Sequence, residues 1–353
     1  MQFLRRLAAA LTFFVLLLSA SALEKISRNP YVGAIVVDSD TGQVLFEDGA
    51  DVVAYPASVT KLMTFAVVMD RVIAGQLSLE APVTVSAEAA RTGGSQVYLK
   101  HGEVFSIDDL LVALIVSSAN DAAVALAVHV GGSREAFVAL MNEKARELGM
   151  AQTRFTSPHG LPPSRGQEPD VSTARDLALL SRHLIQHDRV LAYSSIKVRM
   201  LREQSATPFE MRSHNHLLGK FAGCDGLKTG YFSAGGFSLS ATAERNGRRL
   251  IAVTLGSETS KMRDFKVMEL LERGFAHAPA MPNVQTTLPT VRPAPVAAPP
   301  ATKATVTLPA ARPPSAIPVL KTDEVPAGDA ASTSAIPPVT FRVIPPTTQP
   351  KKK

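Results

Sequence analysis

Proline sets the outer limit on what this chain can fold into. Of its 25 prolines, seventeen lie in residues 278–353, interleaved with alanine, threonine and valine. The proline ring fixes φ and removes a backbone donor, so such a stretch supports neither helix interiors nor central strands. We expect a disordered, partly polyproline II tail there, closing on Lys351-Lys352-Lys353. The stretch also lacks apolar–polar helical periodicity, so no amphipathic anchor is expected in it. The packed core must come from what precedes it.

At the other end, Met1-Gln2-Phe3-Leu4-Arg5-Arg6 is a short basic start. Leu7 to Leu18 is an apolar run too short for an ordinary span, and Ala20-Ser21-Ala22 matches an A-x-A cleavage site. This pattern predicts a signal peptide over 1–22, export, and a mature chain beginning at Leu23. An uncleaved membrane anchor is the alternative, and it too leaves the folded part outside the cytoplasm. The folded domain is expected over 23–277, with the tail over 278–353.

Charge has to be divided the same way. The tail holds eight Lys and Arg against Asp323, Glu324 and Asp329, and the leader two arginines, so the whole-chain +6 leaves residues 23–277 at −1. The basic character belongs to the ends, and nucleic-acid binding loses its main support. A weak electrostatic contact of the tail with an anionic wall or membrane stays open, as does a solvated tail with no partner. The only cysteine, Cys224, rules out an intramolecular disulfide and reads as structural. No metal or cofactor is expected.

Within 23–277 the elements run strand, helix, strand. Residues 31–37 are rich in β-branched side chains, Asp38 to Gly42 supplies turn chemistry, and 43–47 returns as a partner strand. Helices follow: from Ser58 to about Ile73, from Ser106 through Val116, from Ala122 to Val130, over 133–149, and from Ser172 through Ile185. Residues 190–210 give no clear pattern. Three further strands, about 226–232, 236–243 and 249–256, precede a helix from Ser260 to Phe275. The simplest arrangement is α/β of the α+β kind: a five-stranded antiparallel sheet flanked by helices, plus a helical subdomain.

Three short motifs fall inside this frame. The first is Ser58-Val59-Thr60-Lys61, after Pro56 and ahead of an apolar helix. Three residues apart, Ser58 and Lys61 share a helix face. A lysine whose pKa is lowered by burial and a second cation can take the proton of a serine hydroxyl. The second is Ser118-Ala119-Asn120, at a junction between two helices, and the third is Lys228-Thr229-Gly230, on a strand. Alone, each has an ordinary explanation: a capping serine with a solvated lysine, a helix cap, a polar strand end. In the order S-x-x-K, S-x-N, K-T-G they form the signature of penicillin-recognising serine acyltransferases.

With Tyr55-Pro56-Ala57-Ser58, Ser117 to Asp121, His159-Gly160-Leu161 and Asp225 to Gly230 added, the chain from Tyr31 to Phe275 resembles the low-molecular-mass penicillin-binding proteins, the serine-type D-alanyl-D-alanine carboxypeptidases. The resemblance implies a β-lactamase/transpeptidase-like fold. It also implies attack by Ser58 on the penultimate D-alanine carbonyl of peptidoglycan stem peptides, and covalent inhibition by β-lactam antibiotics. Lys61 would be the acylation base, and Ser118 would relay a proton to the leaving amine. Asn120 would orient Lys61 and bind the substrate amide. Lys228 and Thr229 would hold the substrate carboxylate, with Gly230 leaving room for its backbone. The backbone N–H groups of Ser58 and Tyr231 would form the oxyanion hole. Arg249 matches a family arginine near the carboxylate site, with an exposed strand-end arginine as the alternative. His214 stands where the family often has arginine, with Arg212 nearby.

Three rivals share these residues or this fold. A β-lactamase needs a glutamate for deacylation, and the candidate Glu168 is followed by Pro169-Asp170-Val171-Ser172, which does not match E-x-x-L-N. A D,D-endopeptidase would cut a similar D-alanyl amide in a cross-link. A non-catalytic wall-binding protein would have no need of the intact motifs.

Overall fold

The computed structural model describes residues 31–163 and 168–278. The predicted signal peptide and the predicted disordered tail lie outside the described residues.

A hairpin opens the domain: β1 (Gly33–Asp38) and β2 (Val44–Asp48). The Asp38 carboxylate organises its turn by accepting from the Asp40 and Thr41 amides at 3.2 and 3.0 Å. A 3-10 turn, Ala57–Thr60, then leads into α1 (Lys61–Ile73). The helical half follows as β3 (Pro82–Thr84), α2 (Ala87–Ala90), β4 (Val104–Ser106), α3 (Ile107–Val116), α4 (Asn120–Gly131) and α5 (Arg134–Glu147). After a long loop come α6 (Ala174–Leu184), α7 (Asp188–Ser194) and a small hairpin, β5 (Val198–Leu201) with β6 (Phe209–Arg212). The chain returns through β7 (Cys224–Phe232), β8 (Gly236–Arg245) and β9 (Arg248–Ser257), and α8 (Ser260–His277) closes the described part.

The five long strands form one antiparallel sheet in the order β2-β1-β9-β8-β7, as expected. The last strand of the chain's closing meander pairs with the first, which leaves β7 at an edge. Every residue of β1 is buried, so its alternate side chains enter two cores. Ile35 and Val37 join the helical half, while Ala34 and Val36 join the layer under α8 with Leu270 and Leu271.

α1 is buried without a break from Lys61 to Met69. A helix apolar all round belongs in the middle of a core, and α1 sits there. Side-chain caps set the starts of five helices: Ser86, Ser106, Ser133, Thr173 and Thr259 each accept an amide two or three residues into the helix.

Two details differ from expectation. Ser58 is in the 3-10 turn and not on the α-helix, because Ala57 has φ +49° and the tighter i to i+3 bond brings the Lys61 amide onto the Ser58 carbonyl. The unreadable stretch 190–210 holds α7 and the β5–β6 hairpin, pieces too short to show periodicity.

Candidate active site

Ser58 and Lys61 meet as the spacing required. Lys61 Nζ lies 3.0 Å from Ser58 Oγ and donates to the carbonyl of His159 at 2.8 Å. The lysine is completely buried. Burial pushes its pKa well below that of an ordinary lysine, and the charge of Lys228 pushes in the same direction. Asp170 and Asp121 oppose the shift.

Those two carboxylates also build the site's loops. Asp170, buried, accepts from the Thr156 and Ser157 amides at 2.6 and 2.9 Å and from Ser157 Oγ at 2.7 Å. This fixes the loop that presents the His159 carbonyl. Asp121 accepts from the Val97 and Leu99 amides at 3.2 and 3.0 Å and so pins the glycine-containing loop of residues 91–100. For both, burial outweighs the hydrogen bonds and raises the carboxyl pKa. Gly160 completes the arrangement. It has φ +79°, and a Cβ there would run into the Ala57 carbonyl, so only glycine lets the two loops touch.

Ser118 lies between α3 and α4, buried, with φ +58°. A non-glycine residue held in this region costs on the order of 1 kcal/mol or more, and such strain gathers at functional sites. Asn120 is the first residue of α4. Its Nδ2 donates to the Gly93 carbonyl at 2.7 Å, and among the described residues its buried Oδ1 has no partner. No hydrogen bond joins Asn120 to Lys61; the His159 carbonyl holds the amine in its place. Sequence reasoning missed this contact because a backbone carbonyl leaves no residue signature.

On the edge strand, Lys228 is buried and donates to the Thr229 carbonyl at 2.9 Å. Burial, with the charge of Arg263, lowers its pKa to about 7. Thr229 is buried beside it. Gly230 stands against the Ser58 turn, where an added Cβ would lie 3.0 Å from the Ser58 nitrogen. Tyr231 is exposed and stacks on Phe237 at 4.1 Å between ring centroids.

Arg249 is a correction. Its guanidinium is taken up by Asp225 at 2.8 and 2.9 Å and by Glu244 at 2.8 Å. It therefore braces the start of β7 and is not offered to a substrate. The arginine whose field reaches the site is Arg263, buried in the first turn of α8 and bound to Asp264 at 2.6 Å. Only its near-complete burial distinguishes it, and sequence does not display that. His214 lies in the same field: burial, then Lys228, hold its pKa down at about 4. Arg212 pairs with Glu210 on the surface. Glu168 is exposed and pairs with Arg154 at 3.3 Å. Cys224 donates weakly to the Gly226 carbonyl, and burial lifts its pKa to about 11, which makes it an inert thiol.

A family profile described as D-alanyl-D-alanine carboxypeptidase matches residues 28–259. The chain belongs to the D-alanyl-D-alanine carboxypeptidase family. It is 40% identical over 283 residues to the carboxypeptidase DacC of Escherichia coli, covering 77% of this chain and 69% of that protein. It is 35% identical over 243 residues to the carboxypeptidase DacF of Bacillus subtilis, covering 69% of this chain and 61% of that protein. Among solved structures, penicillin-binding protein D2 of Listeria monocytogenes in its ampicillin-bound form superposes with a TM-score of 0.63 at 34% identity, covering 71% of this chain and all of that one. The fold of this family member is thus that of the penicillin-binding proteins.

Proposed function

We propose that the protein is a serine-type D-alanyl-D-alanine carboxypeptidase acting on peptidoglycan stem peptides outside the cytoplasm, and that β-lactams acylate it at Ser58. The observation that carries this reading is the buried Lys61 amine 3.0 Å from Ser58 Oγ, with its pKa driven down. A neutral amine at that distance takes the hydroxyl proton as oxygen attacks the penultimate D-alanine carbonyl. The developing oxyanion is held by the Ser58 and Tyr231 amides, and Gly230 lets β7 lie close against the Ser58 turn. Ser118 passes a proton to the departing D-alanine nitrogen, the acyl group goes to water, and Ser58 is regenerated.

Recognition is electrostatic. The substrate ends in a carboxylate, and Lys228 and the Thr229 hydroxyl meet it, with the charge of Arg263 behind Lys228. Lys228 carries its full charge once that anion binds, because an opposite charge raises a lysine pKa. Asn120, at the start of α4 two residues from Ser118, binds the substrate amide in this reading. Glu168, paired at the surface with Arg154, is not available as a deacylating base, so penicillin should leave slowly. Residues 1–22 direct export in this reading, and the basic tail adds at most a weak contact with an anionic wall.

Mass spectrometry after incubation with benzylpenicillin tests the proposal. A long-lived adduct on Ser58 is expected, together with release of D-alanine from a pentapeptide. No adduct, or turnover of penicillin faster than D-alanine release, refutes it.

A further inference from the structure

A cavity of about 260 Å³ lies between α3, α7 and β5, and none of the residues assigned to the active site lines it. Its inner wall is aliphatic: Val112 is buried, and Leu79 and Ile196 are partly buried against the same core. It is smaller than the roughly 300–1,000 Å³ of sites for drug-sized ligands, so it suits a single short chain and not a peptide.

The rim is charged, and its charges do not cancel. On α3 the Asp108 carboxylate accepts from the Tyr193 hydroxyl, and Arg199 of β5 reaches it only at 3.9 Å. Both ends of that pair are partly exposed, and a contact so long contributes little. Arg189, on α7, is exposed and makes no ion pair among the described residues. Glu80 lies in its field, but that carboxylate is exposed, is not part of the lining, and accepts from Ser78 Oγ. Two guanidiniums against one engaged carboxylate leave one positive charge beside an aliphatic pocket. A planar guanidinium fork matches a carboxylate, and one surplus charge matches a monoanion better than a doubly charged phosphate.

We propose that this cavity binds a free aliphatic carboxylate of medium chain length. The head lies between Arg189 and Arg199, and the chain lies against Leu79, Val112 and Ile196. Such an occupant ties α7 to β5, and because it binds the folded state alone it stabilises the protein. The site does not depend on the acylation chemistry at Ser58.

Octanoate is the probe, titrated calorimetrically into the full-length protein. Binding is expected, with amide hydrogen exchange slowed in α7 and β5. Butanoate should bind at least about tenfold more weakly, because its shorter chain buries less apolar area. Arg189→Ala and Arg199→Ala, both at exposed positions, should each weaken octanoate about tenfold, the loss of one charge-assisted contact. Octylamine, the same chain with the opposite charge, should not bind. Absent octanoate binding, equal affinity for butanoate, binding of octylamine, or indifference to either substitution overturns the site. At about pH 8, where octyl phosphate is doubly charged, its binding as tightly as octanoate overturns the carboxylate assignment. Lys228 and Thr229 are a rival destination for any carboxylate, and exchange separates the two: protection confined to β7 and the Ser58 turn overturns the placement in this cavity.

Discussion

Two lysines share this site, and their environments assign them different work. Lys61 is buried with a neighbouring cation and is poised to be neutral, whereas Lys228 sits near the edge of neutrality, at about 7. A carboxylate substrate binds best to protonated Lys228, so kcat/KM for a D-Ala-D-Ala peptide should fall as pH rises through about 7. Lys228→Arg should move that limb to higher pH, and an unmoved limb in the pH–rate profile would assign it to another group. Lys61→Ala should lose at least about a hundredfold in penicillin acylation, the usual worth of a general base, while circular dichroism stays native. Arg263 and Arg249 separate by readout. Arg263→Ala should raise KM for the carboxylate peptide severalfold, through the loss of a positive charge beside Lys228 and the unpaired Asp264 it leaves. Arg249→Ala should lower the melting temperature through the orphaned Asp225 and leave KM near wild type. The reverse pattern in steady-state kinetics would restore the sequence-based reading of Arg249.

At the scale of elements, the site depends on the Ser58 turn and the His159 loop meeting without a side chain between them. Gly160→Ala places a methyl against the Ala57 carbonyl in a left-handed conformation, so it should cost about 1–3 kcal/mol and slow acylation. An acylation rate unchanged by the substitution, with stability lost, would show that the loop supports the fold alone. α1 is the element whose loss the domain cannot absorb: Phe65 is fully buried and meets Tyr193 edge-on at 5.3 Å. Phe65→Ala should destabilise by about 3–5 kcal/mol in denaturant unfolding. Elements of this kind were legible from sequence because their signal is local: alternation in β8, an apolar run in β9, an unbroken apolar run in α1, a capping serine at 106. Residues 82–85 also read as a short extended piece, but the pairing of β3 with β4 and the β5–β6 hairpin were not legible, since strands of three or four residues are defined by a partner the sequence does not name.

The molecule as a whole carries the thermodynamic cost of its buried amines. Between about 7 and 10.5 the unfolded chain holds a proton at residue 228 that the folded protein has released, so stability rises with pH across that window. Melting temperature should therefore increase from pH 7 toward 10 relative to Lys228→Met, in which the slope at this position is absent; parallel curves would place the lysine outside the core. Removing residues 278–353 should leave D-alanine release from soluble peptides unchanged. The sequence by itself determined the chemistry and its framework, because a nucleophile, its base and a cation are visible as residue types at fixed spacing, and the sheet and its helices as periodicities. Which carbonyl steadies Lys61, which arginine adds to the anion site and which two buried aspartates hold the loops were decided only by tertiary structure. Those are contacts across 90 residues or more, or between backbone and side chain, and burial, not identity, sets their strength.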